Sequence, residues 1–359
     1  MVPSDLAFPK LSSLKKILER FPVEASAPCR IDSGGTWDIK ALALPLVPVL
    51  PVTVNIALTL RTTVILAPFA DGRVRISSQG FSHEEEYAAD APRFDTPFGL
   101  FFAALAHFMG HGVEVHIKTA SPVKAALGGS STALIALIKA LSKAAAHLGA
   151  PMLTKRQILH LGYHLEDAVS AGKCGIQDQA AAVYGGVNQW NWHYESTQRL
   201  FRRQSLLDPT GQRELSERLL LAYSGTSHVS SLVNQAWIRE FLSGKTRAGW
   251  IKVNEVVRNL GRRIKEKAWK EAVCLLREEM AVRREITPDA LIPLTDRLIR
   301  QAEDAGCGAR FTGAGAGGSV WALGEKDKID DLRTLWGDTL ASVKGGGLLH
   351  CRVDPKGTL

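Results

Sequence analysis

Apolar and polar positions change period several times along the chain. Val52 to Leu66 and Arg73 to Ser78 are rich in Val, Ile and Thr, and the Asp71-Gly72 pair between them is a turn signal. These two runs are predicted to be neighbouring strands. Gly112-Val-Glu-Val-His-Ile-Lys118 alternates apolar and polar side chains, as a half-buried strand does. From Ser131 to His147 the apolar residues Leu134, Ile135, Leu137, Ile138 and Leu141 follow a helical period, which Gly149 and Pro151 end. Thr154 is placed to cap a second helix that carries Ile158, Leu161, Leu165 and Val169 on one face and stops near Gly172. Leu219 to Tyr223 reads as a strand, Ser230 to about Glu303 almost entirely as helix, and Ser319 to Leu323 and Leu348 to Val353 as closing strands.

The first 200 or so residues are therefore strand-rich, and the remainder is a helical run that returns to sheet. A chain of 359 residues with 45% apolar side chains exceeds the usual single domain and has ample material for a core. Two domains are expected, 1–205 and 206–359, divided in the polar stretch from Ser205 to Gly211. Charged residues make up 22% of the chain, and neither an internal repeat nor a low-complexity tract is present, which excludes disordered and fibrous classes.

The most apolar stretch, Ala41 to Leu60, is interrupted by Pro45, Pro48 and Pro51, so no membrane span is expected. The N-terminal residues lack the apolar core of a secretory signal, and a cytoplasmic protein is expected. Cys29, Cys174, Cys274, Cys307 and Cys351 lie far apart, without the paired spacing of a zinc site or redox dithiol, and are expected to be reduced. A formal charge of +8 favours anionic ligands without separating nucleotides from nucleic acid. The basic run from Arg258 to Lys270 is interleaved with Glu266, which reads as a solvated helix face and argues against a nucleic-acid stripe.

Three glycine-centred segments carry the candidate chemistry. Pro122-Val-Lys-Ala-Ala-Leu-Gly-Gly-Ser-Ser-Thr-Ala133 lies between a predicted strand and helix. Glycines let the backbone approach a ligand closely, and the free N–H groups and positive dipole end of the helix bind phosphate. Ser130 and Ser131 can cap that helix or reach a metal ion. The Gly-Lys-Ser/Thr ending of the common P-loop is absent. Ala27-Pro-Cys-Arg-Ile-Asp-Ser-Gly-Gly-Thr-Trp-Asp38 sets Arg30, Asp32 and Asp38 around a glycine turn, and Phe311-Thr-Gly-Ala-Gly-Ala-Gly-Gly-Ser-Val320 precedes a strand. Each has a plainer structural reading, as a turn, a helix cap or an ion pair, but three such loops in this order are hard to ascribe to chance.

Together these segments resemble the GHMP kinase superfamily, named for galactokinase, homoserine kinase, mevalonate kinase and phosphomevalonate kinase. The family's phosphate loop reads Gly-Leu-Gly-Ser-Ser, where this chain has Ala126-Leu-Gly-Gly-Ser130. Residues 27 to 38 are similar to its first motif, and 312 to 318 to its third, with Ala316 in place of a glycine. Gly172-Lys-Cys-Gly-Ile-Gln-Asp-Gln179, Tyr223-Ser-Gly-Thr-Ser-His228 with Ser230-Ser231, and the stretch from Arg283 to Gly306 are similar to galactokinases, fucokinases and heptose kinases. The resemblance spans nearly the whole chain.

What the resemblance implies is an α+β fold of two domains, the first like domain 2 of ribosomal protein S5 and the second ferredoxin-like, with ATP and Mg2+ as cofactors. It implies transfer of the γ-phosphate to a hydroxyl of a hexose or heptose, a sugar phosphate included. Lys124, Leu127, Gly128, Gly129, Ser130, Ser131 and Thr132 would form the ATP cradle. A gap-free match makes Ser130 the magnesium-contacting hydroxyl, with Ser131 the alternative if the loop shifts by one. Glu166, twelve positions before Asp178, would complete the metal site, and its neighbour Asp167 would then face elsewhere.

Asp178 would accept or orient the acceptor's proton, with Arg30 beside it. Asp38, Thr36, Gly35, Gly225 and Gly315 would contact the acceptor. Arg30 to Asp38 is eight positions, one fewer than in galactokinases and fucokinases, so that turn must differ. His228 is a further substrate-site candidate. Competing expectations are a kinase of a non-sugar alcohol, a nucleotide-binding protein without catalysis, and a nucleic-acid binder; a homodimer is left open.

Overall fold

A computed structural model describes residues 13–34, 37–80, 84–196, 200–227 and 230–359. Its strands are β1 (Val23–Asp32), β2 (Val52–Pro68), β3 (Arg73–Ser78), β4 (Glu85–Ala88), β5 (Val113–Thr119), β6 (Val187–Trp192), β7 (Phe201–Ser205), β8 (Leu219–Tyr223), β9 (Gly308–Phe311), β10 (Ser319–Leu323) and β11 (Gly347–Leu348). The helices of the first half are α1 (Lys15–Arg20), α2 (Lys40–Ala43), α3 (Gly99–His107), α4 (Gly129–Ala146), α5 (Lys155–Val169) and α6 (Gln177–Tyr184). Those of the second are α7 (Pro209–Glu217), α8 (Ser230–Leu242), α9 (Arg247–Lys265), α10 (Trp269–Ile286), α11 (Pro293–Asp304) and α12 (Lys326–Leu340).

β2 organises the first sheet because its Val- and Ile-rich run is buried for most of its length and needs partners along both edges. β1 pairs with it from Asn55 to Leu66, β6 takes Val52–Ile56 and β5 takes Thr62–Pro68, all antiparallel. The order is β4-β3-β5-β2-β6-β7 with β1 on β2. β2 and β3 are thus not neighbours, although the turn at Asp71-Gly72 suggested that they would be. The chain crosses through β4 and α3 and returns as β5, which inserts between them parallel to β3. α4, the most buried helix, packs across β1 and β2 with Leu134 to Leu141 in the core.

α5 starts at the predicted cap, where Thr154 and Gln157 bond each other's backbone N–H groups. Of the expected stripe, Ile158 is buried, Leu161 and Leu165 are half-buried against the core and Val169 is exposed; Leu159, Gly162 and Tyr163 extend the buried face. At Gly162 a Cβ would lie 2.6 Å from Ile135 Cδ1 of α4, so the two helices meet closely at the glycine.

The second sheet has the order β11-β8-β10-β9, antiparallel throughout, with α10 to α12 around it, while α9 packs on α10 and on β2 of the first sheet. The strand expected over Leu348 to Val353 contributes only Gly347–Leu348 to that sheet. Beyond Leu349 the chain crosses to the first sheet. Asp354 N–H donates to Ala57 O (2.8 Å), Gly186 N–H to Asp354 O (2.7 Å) and Leu359 N–H to Ser26 O (2.9 Å). Arg61 Nη1 pairs with Asp354 Oδ2 at 2.5 Å and Arg61 Nη2 reaches Gly357 O at 2.9 Å.

On α9 the basic run is solvated as expected, with Arg262 exposed and Arg263 paired to Glu266 at 2.7 Å. The five cysteines are free thiols, and no described helix is long and apolar enough to cross a membrane.

Candidate active site

The loop from β5 to α4 opens one wall of a cavity of about 630 Å³, within the range of small-molecule sites. Lys124, Ala126 and Gly128 alternate into left-handed backbone, with φ of 57°, 61° and 75°. The loop's carbonyls are turned into protein. Arg30 Nη1 donates to Ala126 O (2.7 Å), Arg30 N–H to Leu127 O (3.1 Å) and Ser319 Oγ to Ala125 O (2.9 Å). Gly128, the N-cap of α4, offers no side chain to the first turn, so the N–H groups there are left to a ligand. A Cβ on Gly128 would sit 3.1 Å from the Asp178 carboxyl, and one on Gly318 (φ 73°) would sit 2.6 Å from Ala126 Cβ. The first and third glycine segments therefore brace the phosphate-loop candidate from two sides.

Glu166 of α5 reaches the start of α4. Its Oε1 accepts from Ser131 Oγ at 2.9 Å and its Oε2 from Gln179 Nε2 at 2.6 Å. Burial pushes its carboxyl up to about 7; bonds from Ser131, Gln179 and Ser130 pull it down while the nearby Asp178 adds to the rise. Asp167 faces away and pairs with Lys40 of α2 at 2.5 Å, as two adjacent helical positions require. Asp178, in the first turn of α6, takes both Arg30 Nε and Nη2 on Oδ1 at 2.7 Å each. Arg30 also lies 3.8 Å from Asp32, whose Oδ2 meets Arg310 at 2.5 Å, and Arg310 in turn meets Glu279 at 3.1 Å. Asp32 Oδ1 accepts the N–H of Gly313 (2.7 Å). This buried row of alternating charge joins β1 to β9 and α10, and through Gly313 to the third glycine segment.

Asp38 is buried at the opposite end. Its Oδ2 accepts the Gln177 N–H at 3.0 Å, while Oδ1 has no hydrogen-bond partner among the described residues. Burial, with the charge of Asp178, pushes this carboxyl up to about 7 against the Gln177 bond. A Cβ at Gly175 would fall 1.8 Å from Oδ2, so only glycine lets the loop before α6 approach so closely.

Lys124, Leu127, Gly128, Gly129, Ser130, Ser131, Glu166, Asp178, Arg30 and Asp38 all line this one cavity. Thr132 does not; its hydroxyl turns inward to Gly128 O (2.7 Å). Gly225 and Gly315 are also absent from the lining, because Gly225 packs on the backbone at Lys344 and Gly315 on Ala290 O. Gly35, Thr36 and His228 lie outside the described residues. Of the two serines, the buried Ser131 bonds Glu166 at 2.9 Å and Ser130 is exposed toward the cavity. Sequence reasoning passed over Gln179, although it stands beside Asp178, and over Phe98 and Phe101, which line the apolar end.

One carboxylate and two hydroxyls form a hard-oxygen set at the start of α4. Among the described residues no group of three or more His, Cys, Asp or Glu side chains could hold a metal alone. That incomplete set fits magnesium, which keeps several waters and takes one or two carboxylates plus phosphate oxygens.

The chain matches the family models for the GHMP kinases N terminal domain over residues 99–186 and the GHMP kinases C terminal domain over 264–339. A mevalonate kinase of Thermococcus gammatolerans is 30% identical over 261 residues, 69% of each chain. Among solved structures, galactokinase of Lactococcus lactis complexed with galactose superimposes with a TM-score of 0.72 at 17% identity, covering 96% of this chain and 98% of that one. A D-glycero-D-manno-heptose 1-phosphate kinase from Bacteriodes thetaiotaomicron gives 0.68 at 16% identity, covering 94% and 97%.

Proposed function

Because this chain belongs to the GHMP kinase family, whose members phosphorylate alcohols, we propose that it transfers the γ-phosphate of ATP to a hydroxyl of a hexose or heptose. The observation that carries the acceptor class is Asp38. A buried carboxylate oxygen without a partner among the described residues, on a side chain that lines the same cavity as Asp178, asks for a hydroxyl donor, and neighbouring hydroxyls of a sugar supply one. An acceptor bearing its own carboxylate would bring a third negative group beside Asp38 and Asp178. Arg30 is already committed to Asp178 and offers it little relief.

In this reading the first turn of α4 holds the terminal phosphates, and Ser131 or Ser130 with Glu166 holds Mg2+. When bound, the ion neutralises charge on the phosphates. Asp178 accepts the acceptor hydroxyl's proton, and Arg30 holds that carboxylate in place while stabilising negative charge on the transferring group. Lys124, exposed at the mouth, adds a point charge for phosphate. The second reading is a mevalonate-type alcohol, favoured by the relative at 30% identity.

A coupled ADP-release assay across hexoses, heptoses, sugar phosphates and mevalonate separates the two. Turnover with mevalonate and with no sugar would sink the sugar assignment. In the same assay Asp178→Asn is expected to lower kcat by about 10² to 10⁴ while nucleotide affinity stays within a few-fold.

A further inference from the structure

We propose that Gln179 is a positioning residue that fixes the carboxylate of Glu166 for the metal, an inference that rests on the magnesium role given to Glu166 above. Glu166 reaches the cavity on a side chain with three rotatable bonds, so its carboxylate orients itself only if something holds it. Two donors do so from opposite sides, Ser131 Oγ on Oε1 at 2.9 Å and Gln179 Nε2 on Oε2 at 2.6 Å. Each oxygen keeps further lone-pair capacity for a cation. Gln179 is wholly buried and its own Oε1 has no partner, so this donation is the one described hydrogen bond of its side chain. The reverse amide orientation would set oxygen against carboxylate oxygen, so Nε2 must be the atom that faces Glu166.

Position matters as much as contact. Gln179 follows Asp178 on α6, so a single helical turn presents the candidate base to Arg30 and the clamp to Glu166. The carboxylate that would bind the metal and the one that would take the proton are thereby indexed to the same rigid element, although they come from different helices. Partners one bond removed from a metal orient its ligands, and losing them typically weakens binding 10- to 100-fold. A purely structural role predicts otherwise, because a side chain of similar size without a donor would fill the same space.

The test uses Mn2+ as a paramagnetic probe, titrated into the full-length protein with a non-hydrolysable ATP analogue and read by water-proton relaxation. Gln179→Leu, and Gln179→Met as a second donor-free variant, are expected to weaken Mn2+ binding about 10- to 100-fold. The analogue's affinity measured in EDTA should stay within twofold of wild type. Gln179→Glu should lose at least as much Mn2+ affinity, because it sets a second carboxylate against the first. Mn2+ affinity unchanged in either folded donor-free variant would overturn the proposal, as would an equal loss of analogue affinity in EDTA. Failure of the wild-type protein to bind Mn2+ with the analogue would overturn the metal role of Glu166 and the inference with it, and that result is distinguishable because it appears before any substitution.

Discussion

Asp38 and Gly175 set the acceptor end of the cavity as a pair. A methyl group at Gly175 would lie 1.8 Å from the Asp38 carboxylate, so Gly175→Ala must displace either the carboxylate or the turn before α6. The expected result is an acceptor KM raised at least tenfold and a stability loss of about 1–3 kcal/mol in urea titration. Asp38 also gives a pH signature. Its folded pKa, pushed up to about 7 by burial, exceeds the ordinary 3.8, so between those values the folded state binds the extra proton. The Asp38 contribution to stability is therefore fully present below about 4 and is lost as pH rises toward 7, by up to about 4 kcal/mol. Asp38→Asn should flatten that slope, unfolding at higher urea than wild type at pH 8 while binding the acceptor poorly. Arg30, Glu166 and Asp178 could be picked out from motif and spacing. The choice between Ser130 and Ser131 is not legible in the sequence, because both hydroxyls lie near Glu166: Ser131 bonds it at 2.9 Å and Ser130 also pulls its carboxyl down.

Between elements, the decisive contact is the third glycine segment against the phosphate-loop candidate. Gly318→Ala adds a methyl 2.6 Å from Ala126 Cβ at a left-handed position, so the loop must yield. Calorimetric titration should show weaker ATP binding, by tenfold or more, with the second sheet intact by circular dichroism. Local periodicity identifies β2, β3, β5, β8 and β10 and helices α4, α5 and α8 to α11, since alternation and the 3.6 repeat are written within single segments; it leaves β1, β4, β6, β7 and β9 unassigned. For α5 it gave the core-facing Ile158, Leu161 and Leu165 but missed Gly162, which is silent in a hydrophobic count and lets that helix approach Ile135 closely. It also placed β3 beside β2, because nothing in either strand announces that β5 will come between them.

At the scale of the whole molecule, two ties add to the packing of α9 on β2 and of the third glycine segment on the phosphate-loop candidate in joining the halves. One is the buried row from Asp178 through Arg30, Asp32 and Arg310 to Glu279; the other is the segment 349–359 laid on β1 and β2. The Arg30–Asp178 pairing in the first follows from the resemblance, but its extension to Arg310 and Glu279, and the whole of the second, are not visible in the sequence, because their partners lie far apart and their residue types are ordinary. Asp354→Ala is expected to lower stability by about 1–3 kcal/mol in urea titration, since it leaves the half-buried Arg61 without its counter-charge. Arg61 and Asp354 are 293 positions apart. On the ribosome, the backbone groups of Ser26 and Ala57 must wait for nearly the whole chain to be made before their partners emerge. A nascent first half is thus an unfinished sheet with open hydrogen-bonding groups, and a stalled or prematurely terminated product should be sticky and quickly degraded instead of persisting as a free-standing nucleotide-binding fragment.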